Sequence, residues 1–216
     1  MPLESAGASL VIAAHHFNPS VFSQLWLVRN NVAGEGEFRP GCLFSDQAVN
    51  VEAESFALLV VPPQLQFVPK GPPEGQGDLV RAKVGTIVRA LPHTPYSAVG
   101  VNFIWHLTPD DGNIPAATRA LFYVSGRRLW REFDREDARF GAYLSKDIFG
   151  CRLKLDVKPV IKHAAGTKSE VLQFAFNFHS DVPQEGNRVV EAIEGHLAKW
   201  DEAKAEATRI VQDATG

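Results

Sequence analysis

Ser97-Ala98-Val99-Gly100-Val101-Asn102-Phe103-Ile104-Trp105-His106-Leu107 alternates with the two-residue period of a pleated strand. Val99, Val101, Phe103 and Trp105 fall on one side, and Asn102, Ile104 and His106 on the other. The same reading holds around 170–180, where Phe174, Phe176 and Phe178 oppose Gln173, Ala175, Asn177 and His179. In 151–162, Cys151, Leu153, Leu155 and Val157 oppose Arg152, Lys154, Asp156 and Lys158. Three strands with one aromatic or aliphatic side and one polar side predict an antiparallel sheet covered by helices on a single face.

Working outward, Leu10-Val11-Ile12-Ala13-Ala14 is another strand-length run. It leads through His15-His16 to Asn18-Pro19, an N-cap with proline at the first helical position, and then to Val21, Phe22, Leu25 and Val28 at helical spacing. Strands are expected around 38–45, 49–61 and 64–68, and the proline- and glycine-rich segment 70–77 reads as a loop. Asp78 is expected to cap a second helix, with Leu79, Val80, Val84, Ile87, Val88 and Leu91 on its apolar face and Pro92 as its stop. Beyond residue 107, Pro109-Asp110-Asp111-Gly112-Asn113 turns into a helix near 114–124, with strands expected at 138–145, 150–162 and 170–180. Pro183-Gln184-Glu185-Gly186-Asn187 then turns into a long C-terminal helix over 188–213.

The expected fold is therefore α+β: a mainly antiparallel, curved sheet in one domain spanning 1–216. Two β-α-β-β-β-α pseudo-repeats are drawn at 1–95 and 96–216. This order resembles the TATA-binding-protein-like saddle in the capped helix starts at Asn18-Pro19 and Asn113 and in the closing helices from Asp78 and Asn187. The resemblance is one of topology across most of the chain. It implies a shape and not DNA binding.

At 216 residues and 45% hydrophobic composition the chain can bury its own core, and disorder or a collagen-like architecture is excluded. Net charge is −3, too balanced for bulk attraction to nucleic acid or a membrane surface. No stretch approaches the ~18 apolar residues of a membrane helix. Cys42 and Cys151 sit among apolar neighbours and read as buried structural thiols, which fits a reducing, cytoplasmic location. Residues 1–108 carry six basic and eight acidic side chains, against sixteen and seventeen in 109–216, so the first half is charge-poor.

Signatures of chemistry are sparse. HExxH, CxxC, a nucleophile elbow and a P-loop are all missing from the sequence, and no metal or cofactor is expected. His15 and His16 stand at a strand-to-helix junction, but neighbours on a strand point to opposite faces and would not share a metal. Asn102, His106, Asn177 and His179 would form a polar cluster for a small ligand if their strands were neighbours. Arg127-Arg128-Leu129-Trp130-Arg131 interleaves cations with an aromatic ring, as a nucleic-acid platform would, but acidic residues follow at once. Val190, Ile193, Leu197 and Trp200 form a helical seam that packs on the sheet or continues to another chain.

The leading expectation is a non-catalytic interaction protein. It would bind a protein partner or itself through a sheet face, with Arg152, Lys154 and Lys158 in contact, or through the C-terminal helix. The alternatives are a small-molecule enzyme or binding protein using the strand-end histidines, and nucleic-acid binding on the polar face.

Overall fold

The computed structural model describes residues 2–164, 166–183 and 188–215. Nine strands form one sheet in which every pairing is antiparallel. They are β1 (Leu3–Ala14), β2 (Leu43–Phe44), β3 (Val49–Glu52), β4 (Phe56–Val61), β5 (Gln64–Pro69), β6 (Tyr96–Leu107), β7 (Ala142–Ile148), β8 (Cys151–Ala164) and β9 (Thr167–Asp181). Their order is β2-β3-β4-β5-β1-β6-β9-β8-β7. The helices are α1 (Gln24–Arg29), α2 (Gln76–Ala90), α3 (Ile114–Phe122), α4 (Arg128–Arg131), α5 (Arg188–Leu197) and α6 (Trp200–Thr215). The fold is α+β.

β1 and β6 lie side by side in the middle of the sheet. Each leads through helical segments to an antiparallel meander whose last strand, β5 or β9, returns to pair with it. α2 follows the first meander, and α5 and α6 follow the second.

One face carries the core. Leu10 and Ile12 of β1, Val101, Phe103 and Trp105 of β6, and Phe174, Phe176 and Phe178 of β9 are all buried. Ile193, Leu197, Trp200, Ala203, Ala207 and Val211 of α5 and α6 close over them. The Trp200 ring meets Phe103 edge-on at 5.1 Å, and Trp105 meets Phe176 at 5.5 Å, the geometry that aromatic quadrupoles favour.

Several local expectations are corrected. β1 begins at Leu3, well before the apolar run at Leu10, and a bulge between Ser5 and Gly7 shifts its phase. Residues 49–61 are two strands joined through Ala53–Ser55, and of 38–45 only Leu43–Phe44 is a strand, with Phe38 bridging Ala53. The strand expected at 138–145 runs Ala142–Ile148. After Asn18, whose side chain accepts from the Ser20 N–H, comes a 3-10 turn at Pro19–Val21 and then α1. α2 starts at Gln76 behind a left-handed Gly75, so Asp78 lies in its first turn and does not cap it. Asn113 does cap α3, accepting from the Ala116 N–H at 3.0 Å.

The closing helix is present in two pieces. The Lys199 N–H turns to the His196 carbonyl at 3.1 Å, where a continuous α-helix would use residue 195. The Lys199 ammonium reaches the Phe149 carbonyl. The turn expected at 183–187 falls, from Gln184 onward, outside the described residues.

Candidate functional site: the open face of the sheet

The reverse of the sheet carries the other half of each alternation. Its rows follow from register. Ser9, Asn102 and Asn177 stand side by side on β1, β6 and β9, and Lys154 and Ser145 continue the row on β8 and β7. The neighbouring row holds Val11, Gly100, His179, Arg152 and Asp147, and a row on the other side holds Glu4, His106, Gln173 and Lys158.

Asn102 and Asn177 are thus brought together. The Asn177 amide donates to Asn102 Oδ1 at 2.7 Å, and Asn102 Nδ2 donates to Ser9 Oγ at 3.4 Å. Gly100 makes this possible, because a Cβ there would sit 2.9 Å from Asn177 Nδ2. His106 and His179 do not join them in one cluster. His179 is opposite Gly100, six residues along β6 from His106, or roughly 20 Å at strand rise. His106 Nε2 lies 3.4 Å from Gln173 Oε1 while its Nδ1 is buried without a partner, and His179 Nε2 is 3.2 Å from Asp181. The expected four-residue ligand cluster is therefore corrected to an Asn pair with a histidine beyond each end. His15 and His16 are exposed beyond the end of β1, remote in sequence register from these rows.

Electrostatically the face divides. Its β4 and β5 side presents Ala57, Leu59, Val61, Gln64, Gln66 and Val68, without a charge and half-buried. Its β8 side is charged but balanced. Arg152 binds Asp147 at 3.0 Å and Ser145 at 2.8 Å, and Lys158 binds Asp156. Lys162 binds Glu4 and holds that carboxyl below its usual range. Two strands separate β8 from β1, roughly 14 Å of sheet. Glu4 is level with Lys158, so Lys162 also lies four residues further along β8, and the sheet must curve toward its open face for these side chains to meet. Of Arg152, Lys154 and Lys158, Lys154 alone has no ion pair among the described residues.

The helical seam is placed differently from the expectation of a chain contact. Ile193, Leu197 and Trp200 are fully buried against the molecule's own sheet, and Val190 packs on the same core. Ile193, Leu197 and Trp200 have no surface to offer a partner, while Val190 is only partly buried. His196 is buried with them. Its Nε2 donates to the Phe178 carbonyl at 3.0 Å, and its Nδ1 accepts from the Ser180 hydroxyl at 3.1 Å. Burial pushes its pKa down to about 4, so the ring is neutral near pH 7. Trp130 is wedged between Tyr123 and Phe140, with centroids at 6.4 and 5.4 Å, which removes it as a free stacking platform.

Both thiols serve structure. Cys151 is buried, donates to the Ile148 carbonyl at 3.0 Å and is held protonated by desolvation. Cys42 is half-buried and accepts from the Glu52 N–H at 3.3 Å. Among the described residues no group of three or more histidine, cysteine or carboxylate side chains is placed to hold a metal ion. No helix among them is long and apolar enough to cross a membrane.

Ser9 and Gly100 are the site residues that sequence reasoning missed. Neither carries a chemical signal, and both matter only because register sets them beside the Asn pair. Comparison with known proteins adds no relative: no family model matches the chain, and no curated protein matches it.

Proposed function

We propose that this chain is a non-catalytic protein-binding module that presents the open face of its sheet to a partner protein. One observation carries the reading: a nine-stranded sheet has its core helices packed on one side, while the reverse combines an uncharged stretch on β4 and β5 with ion-paired charges beyond it, Glu52 with Lys70 on one side and the pairs of β8 on the other. Small residues along the centre (Gly7, Ser9, Ala98, Gly100) let a second backbone approach closely. The pattern of an apolar area rimmed by paired charges suits a protein contact better than a phosphate backbone, which requires an excess of cations. The saddle likeness contributes a shape to this proposal, with the open face as the seat. A small-molecule site is less well supported, since the Asn pair satisfies itself and the two histidines stand far apart.

Photo-crosslinking residues introduced at Gln66 and Lys154 test the proposal in living cells. The same protein should be captured from both positions, not from the helix-side position Lys83, and should be lost on Asn177→Arg. Capture from Lys83 alone refutes the reading. So does nucleic acid in place of protein, retained until Lys154 and Lys158 are changed to glutamate.

A further inference from the structure

The two edges of the sheet are built differently. β2 has two residues, and the Phe38–Ala53 bridge occupies part of what remains of β3 on that side. Short strands and covered ends are the usual protection of an edge. β7 has neither: it runs seven residues in unbroken register with β8, holds no proline, and is exposed from Tyr143 through Asp147. Its free hydrogen-bonding groups can be assigned. The β7–β8 turn is Phe149-Gly150 with φ of 54° and 70°, the two positive values of a type I′ turn. Its closing pair, Ile148 and Cys151, is then hydrogen-bonded, and by alternation so are Lys146, Leu144 and Ala142. The N–H and C=O groups of Tyr143, Ser145 and Asp147 point off the sheet.

The side chains add a second observation. Leu144 is 55% exposed on the helix side, beside a notch of about 260 Å³ that is lined also by Ser145, Lys146, Leu153, Leu155 and Ile210.

We infer that a second copy of this chain pairs with β7, antiparallel about a two-fold axis at Leu144. In this register Leu144 meets its own copy in a non-hydrogen-bonded pair, where side chains lie closest. Tyr143 faces Ser145 of the second copy and Lys146 faces Ala142, so no like charges oppose and the outward amides of Tyr143 and Ser145 find partners. An axis at Lys146 would set that lysine against itself. An axis at Ser145 would set Lys146 of the second copy against Leu144, in place of leucine against leucine. The contact is isologous and closed, and it extends one sheet through both copies. The open face stays free, so the inference stands or falls apart from the proposed protein partner.

Size-exclusion chromatography with light scattering at tens of micromolar tests it. The wild-type chain runs as a dimer. Ser145→Pro runs as a monomer with its circular dichroism intact, because the N–H it removes points off the sheet. Leu144→Lys, at an exposed position, also runs as a monomer and carries the test if the proline variant misfolds. Leu144→Cys gives a covalent dimer with oxidised glutathione, and Asp147→Cys does not. A monomeric wild type overturns the inference, as does a dimer that survives both Ser145→Pro and Leu144→Lys. Cross-linking through Asp147→Cys in place of Leu144→Cys, or a monomer that instead takes up an extended peptide along β7, overturns it equally.

Discussion

His196 offers a direct test of how the closing helices are fixed to the sheet. The neutral ring bridges the Phe178 carbonyl and the Ser180 hydroxyl inside the core, with its pKa depressed to about 4 from an ordinary value of 6.5. The unfolded chain therefore takes up a proton below about pH 6.5 that the folded chain refuses until about pH 4. The stabilising contribution is complete above the unfolded value and is lost as pH falls through that window. Between about pH 7.5 and pH 5 the loss amounts to about 2 kcal/mol, at 1.36 kcal/mol per pH unit. Urea denaturation of the wild type and of His196→Gln at both pH values isolates it, since the other histidines cancel in the difference. Glutamine loses some of the two-sided bonding, so it starts less stable at neutral pH, and the gap should narrow by about 2 kcal/mol on acidification. A gap that stays constant within about 0.5 kcal/mol, or a His196 ring that titrates near its ordinary value by NMR, would refute the reasoning.

Trp200→Ala empties the site between α5, α6 and Phe103 and should cost about 3–5 kcal/mol in the same denaturation assay, the range for large aromatic truncations. Gly100→Ala drives a methyl group to within 2.9 Å of Asn177 Nδ2; it should break the Asn177–Asn102 bond at a cost of about 1 kcal/mol, seen as a shifted side-chain amide resonance of Asn177. Glu206 is held down to about 2 by Arg209 and Lys146, so it stabilises the fold above about pH 4.5 and loses that role as pH falls toward 2. Glu206→Gln should weaken the protein at neutral pH and flatten its acid unfolding in that window.

The covered side of the sheet was legible because β6, β8 and β9 alternate without interruption, and Phe174, Phe176 and Phe178 lie in the core as their period requires. The start of β1 was not legible: small and polar residues fill Glu4–Ser9, and the bulge at Ala6 breaks the two-residue phase that would betray a strand. The hairpin at Ala53–Ser55 lacks the glycine or proline that punctuates a turn, so β3 and β4 merged in the reading. The break at Lys199 was hidden because the residues on either side of it, Leu197 and Trp200, keep one helical face on one core. As for the candidate site, alternation sorted Asn102, Asn177, His106 and His179 onto one face. Strand order, which depends on pairings far apart in sequence, was needed to join the first two and separate the histidines.

The position of β1 has a consequence for biosynthesis. This strand leaves the ribosome before both of its ladder partners, which are completed only with Pro69 and Leu107. Through that interval Leu10, Ile12 and their neighbours have nothing to pair with, the kind of bare segment on which chaperones act and from which aggregation starts. Both meanders are hinged on this one ribbon, so a chain lacking Leu3–Ala14 would keep each meander's own ladder and lose the hydrogen bonds that join one to the other.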